Sequence, residues 1–268
     1  MTETLSLRAK IEQSPMGAYQ WMIVVMAAIM NLLDGFDVLA LAFTATAIRG
    51  EFGLTAIELG YLLSAGLFGM TAGSLFLAPL ADKIGRRPLL LMAVSLSAIG
   101  MLGSAFISQY QWLGFWRVIT GLGVGGILVG TNVITSEYSS RKWRSFAISV
   151  YAAGFGIGAV LGGMFAVMLQ GEYGWRSVFL AGAILTGLLL VVLFIWLPES
   201  IDFLTSKQPK NAEVRLNLIA KKIGLAGDWK LPAKVEKVKS KLPISQLFSE
   251  KYLHSTLLIW TAFFAIMF

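Results

Sequence analysis

A chain of 268 residues that is 56% hydrophobic and only 14% charged, with a mean hydropathy of +0.72, is too apolar for a soluble domain, where about 25% of residues carry charge. With no cysteine and one histidine, His254, it has no disulfide framework, thiol nucleophile or Cys/His metal cluster, and no cofactor is expected. The net charge of +7 marks a membrane topology rather than a nucleic-acid partner, because the basic residues fall on alternate connections between apolar runs.

Residues 1–18 form a polar tail. The first apolar run is too long for a cleaved signal peptide and stays as an anchor. Windows of about 20 apolar residues, each long enough to cross a bilayer, place spans near 19–46, 57–80, 88–108, 112–136, 145–169 and 175–197. A polar linker, 198–251, follows, with a pattern, for instance at Val214–Ile223, that allows one or two short amphipathic helices at the membrane surface. The run 252–268 reads as a truncated seventh span with no polar flank. Short connections make neighbouring spans antiparallel, and nothing alternates as a barrel would.

Orientation follows from lysine and arginine. Nineteen of the 22 fall on one side: in the tail, in the 2–3 loop (Lys83, Arg86, Arg87), in the 4–5 loop (Arg141, Lys142, Arg144) and in the linker. Arg49 and Arg176 lie on the other side and Arg117 lies inside span 4. The N-terminus of this multi-pass protein is therefore expected on the cytoplasmic side.

Two carboxylates interrupt the first span, in Asn31-Leu32-Leu33-Asp34-Gly35-Phe36-Asp37. A charge at the centre of a membrane helix costs about 2.5–3.5 kcal/mol even on lenient scales, so such residues face a cavity or a partner. Three residues apart, Asp34 and Asp37 point about 60° apart on one helix face. Asn31 shares that face and is placed to hydrogen-bond Asp34. At 1.5 Å per residue Asp37 and Arg117 lie roughly 13 and 8 Å from the outer ends of their spans, a difference smaller than the uncertainty in the span ends, so the two charges can share a level. Arg117 suits a carboxylate, from Asp34, Asp37 or a substrate. Either an aspartate and Arg117 form a static pair that only fixes spans 1 and 4, or protonation of Asp34, Asp37 or both is coupled to movement of an organic anion. Burial and a neighbouring guanidinium act in opposite senses on a carboxyl's proton affinity, which is how such a site takes up and releases a proton. Phe36, Phe43 and Tyr151 are open to stacking on an aromatic ring or to packing alone.

Glycines punctuate the spans: Gly66, Gly69 and Gly73 in the second, Gly121 to Gly130 in the fourth, and Gly154, Gly158 and Gly162 in the fifth. Such spacing lets helix backbones approach closely, for packing or for faces that slide. Gly123-x-Gly125 is not a nucleotide fingerprint, because no strand precedes it.

The 2–3 loop, Ala78-Pro79-Leu80-Ala81-Asp82-Lys83-Ile84-Gly85-Arg86-Arg87-Pro88, resembles the loop signature of the major facilitator superfamily, with Ala78 where the family usually has glycine. Arg117-x-x-x-Gly121-x-Gly123 resembles its fourth-helix motif. Leu197-Pro198-Glu199-Ser200 resembles the Pro-Glu-Ser motif after the sixth, with Ile201 for a frequent proline. Gly154 to Gly163 resembles the fifth-helix motif of antiporters but has Ala159 where those carry proline. Within the superfamily, Asp34-Gly35-Phe36-Asp37 resembles the Asp-Gly-x-Asp motif of aromatic acid:proton symporters.

The resemblance implies an all-α membrane protein, a six-helix amino-terminal bundle built as two inverted three-helix repeats, plus a partial seventh helix. It implies a carrier and not an enzyme. The expected activity is proton-coupled import of benzoate- or hydroxybenzoate-type acids by alternating access, with the proton as coupling ion. Asp34, Asp37, Arg117 and Asn31 would serve proton and substrate. Asp82, Lys83, Gly85, Arg86 and Arg87 would form a gating loop. Glu137 would pair with Arg141 and Arg144 as a second latch. The missing partner is a carboxyl-terminal half, since family members have two six-helix halves around the substrate. Other organic-anion or sugar carriers fit the same loops, and a receptor or assembly subunit would leave the aspartates without a proton task.

Overall fold

Every apolar run becomes a helix, because in lipid a backbone must satisfy its own hydrogen bonds within the segment. The computed structural model describes residues 7–225, 227–232 and 249–267. Its helices are α1 (Leu7–Gln13), α2 (Ala18–Phe52), α3 (Ala56–Ile84), α4 (Arg86–Ala105), α5 (Tyr110–Tyr138), α6 (Arg144–Tyr173), α7 (Trp175–Trp196), α8 (Ile201–Lys207), α9 (Ala212–Ile223) and α10 (Glu250–Met267). Helices α2 to α7 are long and apolar enough to cross a membrane. At 35 residues α2 is about 52 Å long, against about 30 Å of hydrocarbon. It outruns its predicted span because Arg49 and Glu51 continue as helix up to Gly53, whose φ of +63° ends it.

The turns carry the local chemistry their geometry demands. Helix α3 starts with a reciprocal cap: the Glu58 amide donates to the Thr55 hydroxyl at 3.2 Å, and the Glu58 carboxylate accepts from the Thr55 amide at 2.9 Å. Single glycines at positive φ make the α3–α4 and α6–α7 turns, Gly85 at +105° and Gly174 at +76°. Few other residues tolerate that region.

Those two turns occupy equivalent places if α2–α4 and α5–α7 are repeats of one another. The packing agrees. The two most extensive helix contacts are α2 on α6 and α3 on α5, and these exchange when one repeat is mapped onto the other. Glycine makes both possible. A Cβ at Gly154 or Gly158 would strike the carbonyl of Ala28 or Leu32 on α2, and one at Gly69 or Gly73 would strike the backbone of Val118 or Leu122 on α5. Helices α4 and α7 pack on each other behind them. The architecture is the expected all-α bundle of inverted three-helix repeats.

Two apolar clusters fill the body. One, with Met30, Ile134, Tyr138 and Leu193, lies toward the end that bears the basic turns. The other, with Phe36, Leu113, Trp175 and Phe179, lies toward the opposite end. Along α2, Asp34 sits between Met30 of one and Phe36 of the other.

The tail and the start of the linker are built into the basic end. Leu7 and Ile11 of α1 are buried, as are Ile201 and Leu204 of α8 and Leu216 and Ala220 of α9. Residues 1–6 and 233–248, parts of the predicted tail and linker, lie outside the described residues. Helix α10 belongs to a separate unit, Pro232–Phe268. It covers the predicted seventh run as far as Met267, and Phe268 lies outside the described residues.

Candidate functional site

Asn31, Asp34 and Asp37 are buried along one face of α2, at 3%, 2% and 4% exposure. Gly35, between the two carboxyls, lies so close to the Phe155 carbonyl of α6 that a Cβ would collide with it. The polar residues are thus held at a seam between helices.

Asp37 and Arg117 meet. The Asp37 Oδ1 accepts from Arg117 Nη1 at 3.0 Å, and both side chains are at most 5% exposed. The other arm of the guanidinium, Nη2, donates to the hydroxyls of Thr120 at 3.0 Å and Ser104 at 3.3 Å. Its carbon stands 4.9 Å from the Phe179 ring centre, at cation–π distance. One guanidinium therefore touches α2, α4 and α7 from its place on α5. Its Nε is buried without a hydrogen-bond partner. A buried pair of this kind is costly to break, because the survivor is left as an uncompensated charge.

Asp34 has no such partner: its Oδ2 is buried without a hydrogen bond. The expected Asn31–Asp34 hydrogen bond is not formed. The Asn31 amide donates instead to the Tyr151 carbonyl on α6 at 2.9 Å, because the close α2–α6 packing brings that carbonyl within reach. Asn31 Oδ1, like Asp34 Oδ2, is left without a partner. The two aspartates are therefore unlike: one ion-paired, one alone.

Beside the pair is a cleft of about 240 Å³ between α2, α3 and α5. Arg117, Asp37 and Thr120 supply its polar wall, and Leu41, Leu67 and Met70 are among its apolar lining. Among the described residues, no group of three or more His, Cys, Asp or Glu stands where it would hold a metal ion.

At the basic end, Glu199 reaches from beyond α7 to the start of α4. Its Oε1 accepts from the amides of Arg86 at 2.8 Å and Arg87 at 3.1 Å, and from Ser200 at 2.9 Å. The Arg86 and Arg87 amides are free donors of the α4 N-terminus, which favour a negative charge. A Cβ at Gly85 would stand 2.6 Å from that carboxylate, so glycine there serves both the turn and the approach. Asp82 pairs with Arg86 at 2.9 Å, Arg87 donates to the Phe194 carbonyl at 2.6 Å, and Lys83 is exposed.

The second latch is assembled differently from the expectation. Glu137 does not pair with Arg141 or Arg144. Its carboxylate accepts from the Ser200 hydroxyl at 2.7 Å and the Ile201 amide at 3.0 Å, because the start of α8 brings free amides to the end of α5. Arg144 pairs instead with Glu12 of α1 at 2.6 Å, and the Arg141 amide donates to the Glu12 carbonyl at 3.0 Å. Arg8 of α1 in turn pairs with Asp202 of α8.

Comparison with known proteins places these features. The family model of the Major Facilitator Superfamily matches residues 27–268. The chain belongs to the Major Facilitator Superfamily. It is 34% identical over 254 residues to the gallate transporter of Pseudomonas putida, covering 95% of this chain and 57% of that protein. It is 33% identical over 265 residues to the 4-hydroxybenzoate transporter PcaK of the same organism, covering 98% of this chain and 59% of that one. The proton:xylose symporter XylE, solved with 6-bromo-6-deoxy-D-glucose, shares the fold with a TM-score of 0.69 at 22% identity, over 79% of this chain and 50% of that chain. The chain thus spans less than two thirds of the length of the relatives it matches, and as a member of the superfamily it is a multi-pass membrane protein.

The superfamily loop at Asp82–Arg87 is where the sequence reading fell short on partners. Glu199 stood in a recognised motif, yet nothing local showed that its carboxylate would reach residues 112 and 113 positions away in the chain. Glu12, in a polar tail, carried no signal, nor did Ser104 and Phe179, which join Arg117 only through the packing of α4 and α7.

Proposed function

We propose that the chain forms the amino-terminal half of a proton-coupled carrier that imports aromatic carboxylates of the benzoate and hydroxybenzoate type by alternating access. The relatives named as gallate and 4-hydroxybenzoate transporters support the substrate class. Their greater length supports a substrate site completed by a second half.

The observation that carries this reading is the buried Asp37–Arg117 pair in the wall of an apolar cleft. An aromatic carboxylate needs an apolar surface for its ring and a forked cation for its head. Such an anion competes with Asp37 for Arg117. A proton taken up by Asp34 and passed to Asp37 removes the competition, so binding of anion and of proton favour one another, and that coupling is reciprocal. Asp34, alone, is the carboxyl free to exchange the proton, and Asp37 holds the arginine until the anion arrives. The amide of Asn31 keeps α2 on α6 while this happens.

The N-terminus lies in the cytoplasm of an inner membrane in this account. The basic end supports that orientation, as does the pairing of Arg176, an exception on the other side, with Glu51 at 2.7 Å.

Uptake of labelled benzoate and 4-hydroxybenzoate by cells expressing the natural gene product, with and without a protonophore, tests the proposal. Accumulation that the protonophore abolishes is expected. Failure to take up any aromatic acid, or accumulation indifferent to the protonophore, would contradict it.

A further inference from the structure

We propose that Gly66 sets which ring substituents the carrier accepts, by leaving open the part of the cleft that a side chain would fill. This rests on the aromatic-acid reading above and adds to it a residue that tunes selectivity.

Glycines crowd the crossing of α3 and α5, and those at its centre, Gly69, Gly73, Gly121 and Gly125, have a packing reason. A Cβ at Gly69 or Gly73 would collide with the backbone of Val118 or Leu122, and one at Gly121 or Gly125 with the carbonyl of Gly66 or Met70. Gly66 is different. A Cβ there meets a single atom within 4 Å, the Arg117 carbonyl oxygen, at 3.9 Å, which is ordinary contact. Its φ is not in the left-handed region. Neither helix crossing nor backbone conformation requires glycine, and glycine in a helix interior is less favourable than alanine.

What Gly66 does is line the cleft. It stands between Leu63 and Met70 on the α3 wall, facing a space bounded also by Asp37 and Arg117. In a cleft of about 240 Å³, a methyl or ring hydroxyl takes roughly the volume of a water, on the order of 30 Å³. Alanine would remove room for about one such group, and leucine for about four. A relaxed pocket of this kind discriminates by size, by factors of about 10–200 per small group.

The test uses the natural gene product in membrane vesicles, as wild type, Gly66→Ala, Gly66→Leu and, for contrast, Gly121→Ala. Uptake of benzoate, 4-hydroxybenzoate and 3,4,5-trihydroxybenzoate is measured below saturation, with membrane abundance and melting temperature. Gly66→Ala is expected to keep wild-type abundance and melting temperature while lowering uptake of the most substituted accepted acid, relative to benzoate, by about 10-fold or more. Gly66→Leu extends the loss to the monohydroxy acid, and Gly121→Ala loses abundance. Unchanged ratios between acids, equal loss of all three, collapse of Gly66→Ala abundance, or a wild type that accepts benzoate alone would overturn the role of Gly66. A wild type that takes up none of the acids would overturn the carrier reading itself.

Discussion

The waist and the basic end of the bundle each bury two carboxylates, and treat them in opposite ways. Glu137 and Glu199 are surrounded by amides and hydroxyls at the starts of α8 and α4. Asp37 has one cation, and Asp34 Oδ2 has nothing. Burial is similar at both places, so burial alone does not distinguish a structural carboxylate from a working one. Satisfaction does. A carboxylate whose acceptors are filled by free helix donors fastens segments together, and one left without partners is the one proposed to exchange the proton.

Substitutions can break this contrast. The largest effect is expected at Arg117. Arg117→Ala leaves Asp37 buried without a cation, at a cost of about 3–5 kcal/mol, and uptake is lost with it. Melting of the purified protein should show the drop, and the double variant Asp37→Asn/Arg117→Ala should recover part of it. Next comes Glu199→Ala, which strips the cap from α4 and leaves several amides open. About 2–3 kcal/mol is expected from hydrogen bonds of a charged group, again read by melting. If Glu199→Ala proved neutral, the basic end would not be fastened as described.

The clasp at α1 should matter less. Glu12 is a third exposed and paired with Arg144, and exposed pairs contribute about 0–1 kcal/mol. The Arg144 hydrogen bond, helped by the charges of Arg144, Arg8 and Arg141 and opposed by burial, holds the Glu12 carboxyl below the usual carboxylate value. Its contribution is therefore complete above the unfolded value of about 4.3 and fades as pH falls through the lower folded one. The difference in melting temperature between wild type and Glu12→Gln should shrink on acidification. A difference that grew would reverse the sign of the linkage. Asp34→Asn should change stability least, by less than about 1 kcal/mol, because no hydrogen bond or ion pair is lost.

Much of the bundle was legible in the chain, for reasons these residues illustrate. Apolar runs must become helices in lipid, so α2 to α7 followed from hydropathy, and the glycine spacing announced close approaches at α3, α5 and α6 without naming their partners. Asp34, Asp37 and Arg117 stood out because charge inside an apolar run is expensive. Hydropathy cannot tell which aspartate takes the arginine. That depends on how α2 and α5 are rotated, and the rotation chose Asp37. The wrong partners given to Glu137 and Asn31 share a cause. Nearby charges and polar groups in sequence were the visible candidates, whereas the actual partners are the Ser200 hydroxyl and backbone groups delivered by segments distant in the chain. Gly66 could not be told from Gly69 or Gly73 until the facing backbone was in place.

The central claim is the division of labour between Asp34 and Asp37, and counterflow in vesicles tests it most directly. Vesicles carrying wild type or Asp34→Asn are loaded with unlabelled 4-hydroxybenzoate and assayed for exchange of labelled acid, then for accumulation under an imposed pH gradient. Wild type should do both. Asp34→Asn should exchange at a substantial rate yet fail to accumulate, because the anion site at Arg117 survives while the proton site is gone. An Asp34→Asn protein that accumulates as wild type does would contradict the account.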